Sequence, residues 1–229
     1  MVKKVQDQTA SLIATNNDAI AYLKMGELNE SYSLLSEAVA TLQKLIREQP
    51  PKSTPFRCNF QCIDLTHSIA NCVLKSSEQT VLPFLFQKGL TVDMPRRREM
   101  RANKLCPLSL CWILHYNLAL VAHLLGIRKA GYGKSYLEEA NRLYGMVASY
   151  IQSRRCSADY YTVLLMGIWN NRGCISMELG MEDQVTKCLD RLRNLLHRTK
   201  ASRNKLPAWR YFYLNLVALE KQRTVAAAA

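Results

Sequence analysis

Three stretches of this chain superimpose when each is set on its last glycine: "NNDAIAYLKMG" (16–26), "YNLALVAHLLG" (116–126) and "NNRGCISMELG" (170–180). Each has an asparagine nine residues before the glycine (Asn17, Asn117, Asn171) and a small residue seven before it (Ala19, Ala119, Gly173). A turn and a second stretch of helical apolar spacing follow each block. Self-similarity of this kind marks stacked supersecondary units, because one hairpin cannot cover its own apolar face and needs a neighbour to do so. The expectation is a mainly α chain, a stack of helical hairpins forming one domain over 1–229.

The hairpins are expected at about 9–48, 107–152 and 158–199, with a capping helix at about 207–223 that places Pro207 near its first turn. In the second helix of the first unit, Tyr32, Leu35, Val39, Leu42 and Leu45 recur every three or four residues and form the buried stripe. Pro50 and Pro51 end that helix, since neither can continue its hydrogen bonds. An insertion at about 50–105 has a different character. "FRCNFQCI" alternates Phe56, Cys58, Phe60 and Cys62, and "TVLPFLFQKGLTV" is apolar and β-branched, which suggests a small extended or β element, a hairpin or edge ribbon. Pro83 argues against a central strand.

The glycines are assigned separate tasks. Gly26, Gly126 and Gly180 stop the first helices, Gly173 lets two helices cross closely, and Gly167 is merely tolerated. "IRKAGYGK" reads as a long flexible turn in the second hairpin, and the terminal "VAAAA" as a frayed end.

These blocks resemble the tetratricopeptide repeat, a helix–turn–helix unit of 34 residues. Leu118 and Ala119 match its Leu-small pair, Trp169 its bulky first position and Tyr22 its later aromatic. Ala140, Tyr144 and Ala38 match small and aromatic positions of the second helix. The glycines lie 100 and 54 residues apart, and Asp18 and Arg172 stand where the pattern prefers Leu. Such insertions make the chain similar to the divergent tetratricopeptide-like proteins abundant in some microalgae.

The resemblance implies a concave groove, lined by the first helices, that takes an extended peptide or a partner helix. Position by position, its lining is Asn16, Asn17, Ile20 and Lys24 in the first unit, and Tyr116, Asn117, Leu120 and His123 in the second. In the third it is Asn170, Asn171, Cys174 and Met177. The asparagine carboxamide offers both a donor and an acceptor, so a row of them can pair with a peptide main chain whatever its sequence. Equally, each asparagine can tie neighbouring helices or loops of the chain together. The lysine and arginine set with which some family members grip a terminal carboxylate is missing, which disfavours a clamp for chaperone tails.

No phosphate-binding glycine loop, nucleophile elbow or HExxH motif occurs, so the chain is expected to be non-enzymatic and to need no cofactor. "CNFQC" (58–62) and "CPLSLC" (106–111), with His67, lack the tight CxxC spacing of zinc sites. Cys111, Cys174 and Cys188 lie among helical apolar residues and read as buried free thiols.

The formal charge of +13 is concentrated: "PRRREMRANK" (95–104) contributes +4 and "KCLDRLRNLLHRTKASRNK" (187–205) contributes +6. Arg96, Arg97, Arg98, Arg101, Lys187, Arg191, Arg193 and Arg198 are therefore candidate contacts for RNA or another polyanion, and the first cluster also fits a nuclear import signal. No apolar run of about 18–20 residues and no secretory leader is evident. The reading is an intracellular chain, cytoplasmic or nuclear, without a membrane span. Its expected partner is another protein, a second copy of the chain included, and the alternative is a basic helical-repeat protein that binds RNA.

Overall fold

The computed structural model describes residues 2–48, 86, 89–91, 107–129, 133–153, 159–199 and 208–228. These residues are mainly helical: α1 (Val2–Met25), α2 (Leu28–Arg47), α3 (Pro107–Arg128), α4 (Gly133–Ser153), α5 (Asp159–Glu178), α6 (Glu182–Arg198) and α7 (Ala208–Ala228). No strand is assigned among them. The anticipated β element lies almost wholly outside the described residues; Phe86 and residues 89–91, which fall within it, are neither helix nor strand.

Each helix packs on the next along the chain, and in addition α1 meets α3 and α5 meets α7. One apolar core runs through all seven helices and takes in Phe86 and Leu90. The amphipathic even-numbered helices show how periodicity produces this. In α6, Val185, Cys188, Leu189, Leu192 and Leu196 are buried, while Lys187, Asp190, Arg191 and Arg193 are exposed. Fully burying each large aliphatic side chain of that stripe contributes about 1.5–3 kcal/mol. A single charge inside it would therefore unseat the helix.

The central helix, α3, is apolar on every side because α1, α2 and α4 all pack against it. Its span Leu110–Arg128 is long and apolar enough to cross a membrane, which corrects the expectation that no such run exists; 89% of it is buried among the other helices. The polar residues His115, Asn117 and His123 break up the apolar string in the sequence and are themselves buried. At the other end, α7 continues through Ala228.

Two of the three helix stops are as expected. Gly26 has φ +86° and Gly180 φ +66°. At the first, the Gly26 N–H bonds Leu23 O (3.1 Å) and the Glu27 N–H bonds Tyr22 O (3.0 Å). The second repeats the pattern, with Gly180 N–H on Met177 O (3.1 Å) and Met181 N–H on Ser176 O (2.8 Å). This paired bonding closes a helix around a left-handed residue, a conformation glycine adopts without a Cβ clash.

Gly126 departs from that scheme. It lies inside α3, which runs two residues further, so the second turn is shorter than the sequence suggests. Its role is close approach: a Cβ at Gly126 would lie 2.7 Å from Leu137 Cδ2, and one at Gly133 would overlap the Gly126 carbonyl. The crossing role assigned to Gly173 is thereby corrected. A Cβ there would meet Cys188 Cβ at 3.7 Å and Leu219 Cδ1 at 3.9 Å, ordinary contact distances that alanine tolerates. Its counterparts Ala19 and Ala119 are in fact alanines, both fully buried.

Candidate peptide groove

Phe86 and residues 89–91 lie between α1, α3, α5 and α7, where asparagine carboxamides grip Phe86 and Leu90. Asn171, on α5, takes both main-chain groups of Phe86: the Phe86 N–H donates to Asn171 Oδ1 (2.8 Å) and Asn171 Nδ2 donates to Phe86 O (3.0 Å). Asn117, on α3, does the same to Leu90, with N–H to Oδ1 at 2.8 Å and Nδ2 to O at 2.8 Å. A carboxamide presents its acceptor and donor side by side. In an extended residue the N–H and C=O also point to the same side, so one side chain imitates a neighbouring strand.

Each clamp is held in orientation by a second group. Asn117 Nδ2 also donates to Asn16 Oδ1 (2.8 Å), and Asn16 Nδ2 donates to Leu90 O (3.0 Å). Asn171 Nδ2 also donates to the Tyr144 hydroxyl (3.0 Å), while Asn171 Oδ1 accepts from Asn170 Nδ2 (3.2 Å). Asn170 Oδ1 in turn accepts from Asn215 Nδ2 on α7 (3.0 Å). Asn16, Asn117, Asn170 and Asn171 are fully buried. Burying a carboxamide without partners costs a few kcal/mol, so such a chain of amides is stable only when nearly every donor is used, as it is here.

The side chains of Phe86 and Leu90 seat in apolar surroundings. The Phe86 ring lies against Phe212 (centroids 5.2 Å apart) and Tyr211 (6.2 Å) of α7. Its edge rests on Gly167, where any Cβ would strike Phe86 Cδ1. Gly167 is therefore required by the segment, not merely tolerated. Three residues on, a Cβ at Gly89 would come within 2.5 Å of Ile20 Cδ1 and 3.3 Å of Leu23 Cδ2. Phe86 and Leu90 are both buried.

The other candidates divide. Asn17 is half-buried and accepts from Asn16 Nδ2 (3.2 Å), Ile20 packs on the segment, and Lys24 is exposed. Tyr116 is buried with its ring 5.8 Å from that of Tyr144, and Leu120 belongs to the core. His123 is fully buried with neither ring nitrogen bonded, and burial pushes its pKa down to about 3. Cys174 and Met177 are half-buried against the core; burial, then the nearby Glu178 carboxylate, pushes the Cys174 thiol up to about 12. None of Cys111, Cys174 and Cys188 is in a disulfide; Cys188 is buried as expected, whereas Cys111 and Cys174 are only half-buried.

Two contributors escaped the sequence reading, Tyr144 as a hydroxyl that orients a clamp and Asn215 as an amide that extends the network. A signal for the second exists, since "LNLVAL" (214–219) echoes "YNLALV" (116–121) and sets Asn215 on Asn117. Nothing in "FQKGL" announces a ligand, because the grip falls on its main chain.

Of the basic candidates, Lys187, Arg191 and Arg198 are exposed along α6, while Arg193 is paired with Asp190 and Glu220. Arg96, Arg97, Arg98 and Arg101 lie outside the described residues, as do Cys58, Cys62, Cys106 and His67. Among the described residues no cluster of three or more metal-ligating side chains occurs. No protein-family model, curated protein or solved structure matches the chain.

Proposed function

We propose that the chain is a tetratricopeptide-like, non-enzymatic interaction module whose asparagine row binds an extended peptide by its main chain, and that Phe86 and residues 89–91 occupy this site as a built-in ligand. The observation that carries the reading is the pair of two-point grips, Asn171 on Phe86 and Asn117 on Leu90. They sit at the same position in two of the aligned sequence blocks and are spent on main-chain atoms of a segment distant in sequence. Both earlier readings of the asparagines meet here, since they bond within the chain and do so in the manner of peptide capture. A partner protein would present a similar extended segment to the same amides.

The test uses the full-length chain with Phe86→Ser and Leu90→Ser, which removes the apolar anchors of the built-in segment. A labelled synthetic peptide copying residues 84–94 should bind this variant, and Asn117→Ala with Asn171→Ala in the same background should abolish binding while helical circular dichroism persists. Peptide binding that survives loss of both asparagines refutes the main-chain grip.

The polyanion reading keeps one specific support, the exposed row Lys187, Arg191 and Arg198 on α6, which makes no ion pair among the described residues. Titration with single-stranded RNA across a salt series separates the two. RNA affinity falling steeply with salt and unaffected by the asparagine substitutions would favour it.

A further inference from the structure

Resting on the peptide-groove reading, we infer that the site also selects side chains, taking segments of the form aromatic-x-x-Gly-Leu, and that Phe86, Gly89 and Leu90 occupy it against any partner without that pattern. Main-chain clamps alone would accept every extended peptide. Two features of the cleft break that indifference. Gly167 leaves a flat floor beneath a ring that Phe212 and Tyr211 flank, so the first clamped position favours an aromatic. Ile20 closes over the fourth position, where even a methyl group would sit 2.5 Å from its Cδ1, so that position favours glycine. Ile20 is itself buried, so room for a larger side chain has to come from shifting it within the core. The fifth position takes a buried leucine.

The resident segment is tethered on both sides, through residues 49–85 to α2 and residues 92–106 to α3. A tethered ligand competes at an effective concentration on the order of millimolar. A free peptide therefore has to match the pattern to displace it, and a mismatched one stays out.

The experiment measures peptide binding by fluorescence anisotropy to three full-length forms: the unaltered chain, Phe86→Ser with Leu90→Ser, and Gly89→Val, which expels the segment by its own side chain. The probe is the 84–94 peptide. Binding should be at least tenfold tighter to either variant than to the unaltered chain. On the variants, a peptide with Gly→Val at the fourth position should bind at least tenfold more weakly, and one with Phe→Ala at the first about a hundredfold more weakly. Adding Gly167→Ala to the protein should weaken the Phe peptide and improve a Leu peptide relative to it.

Peptides bound alike whatever their first and fourth residues overturn the selectivity while leaving the groove reading standing. If no peptide binds although both variants keep their helices, the groove reading itself falls. Loss of helix in both variants shows that residues 86–91 are an ordinary core element, which also ends the ligand reading.

Discussion

Replacing Asn171 with alanine removes both hydrogen-bond partners that the Phe86 main chain finds on α5. Left in place, the buried N–H and C=O would each cost about 1–3 kcal/mol, about 2–6 kcal/mol together. Letting the segment detach instead exposes Phe86 and Leu90, at about 1.5–3 kcal/mol each. The two penalties are similar in size, and Phe86 and Leu90 are core residues that lie outside the described helices. Local release is therefore the expected response. Native-state hydrogen exchange followed by NMR reads this directly. In the unaltered chain the Phe86 and Leu90 amides should exchange slowly even though their acceptors are side chains. In the variant, taking the lower bound of 2 kcal/mol, the Phe86 amide should exchange at least about thirtyfold faster, at 1.4 kcal/mol per tenfold. Leu35 and Leu42, buried on α2, should keep their protection. A Phe86 amide that exchanges freely in the unaltered chain refutes the clamp. Acceleration of every amide by the same factor instead makes Asn171 a general core residue.

Other expectations come from the same geometry. Gly173→Ala should stabilise the chain by up to about 1 kcal/mol in urea unfolding, since it gains helix propensity at ordinary contact distances, whereas Gly133→Ala should destabilise it because its Cβ overlaps the Gly126 carbonyl. His123 is held neutral by burial, its pKa lowered to about 3, while the unfolded chain protonates it near 6.5. As pH falls below 6.5 the unfolded state takes up a proton that the folded state refuses, so stability drops, by about 2 kcal/mol at pH 5. His123→Leu should flatten that part of the stability–pH curve, and an unchanged slope would place its origin elsewhere. The Cys174 thiol, pushed up to about 12 by burial, should resist alkylation at pH 8 until the chain unfolds, as mapped by mass spectrometry; rapid labelling in the native state would contradict its burial.

Much of the architecture was legible because it is local. A 3.6-residue apolar period marks a helix wherever it occurs, so the buried faces of α2 and α6 could be read directly from spacing. Gly26 and Gly180 could be placed because a helix stop depends on the residues immediately around it. The aligned blocks also set Asn17, Asn117 and Asn171 at one position, of which Asn117 and Asn171 make the two-point grips while in the first block it is the neighbouring Asn16 that reaches Leu90.

What each of these residues touches was decided only by the folded chain. Gly126 and Gly173 occur in aligned blocks, yet Gly126 faces Leu137 and Gly133 at contact too tight for a methyl group, and Gly173 does not. The asparagines presented the same ambiguity, a donor and an acceptor with the partner unnamed. Their partners lie 27 and 85 residues away in the chain, and a grip on main-chain atoms leaves no mark on the side chains of the segment that is held. Local pattern determined which residues could serve as clamps, because helix periodicity and repeat register are written in neighbouring residues. Only the tertiary structure could place Phe86 and Leu90 between them, because that choice was made by space, burial and the need to satisfy every enclosed amide.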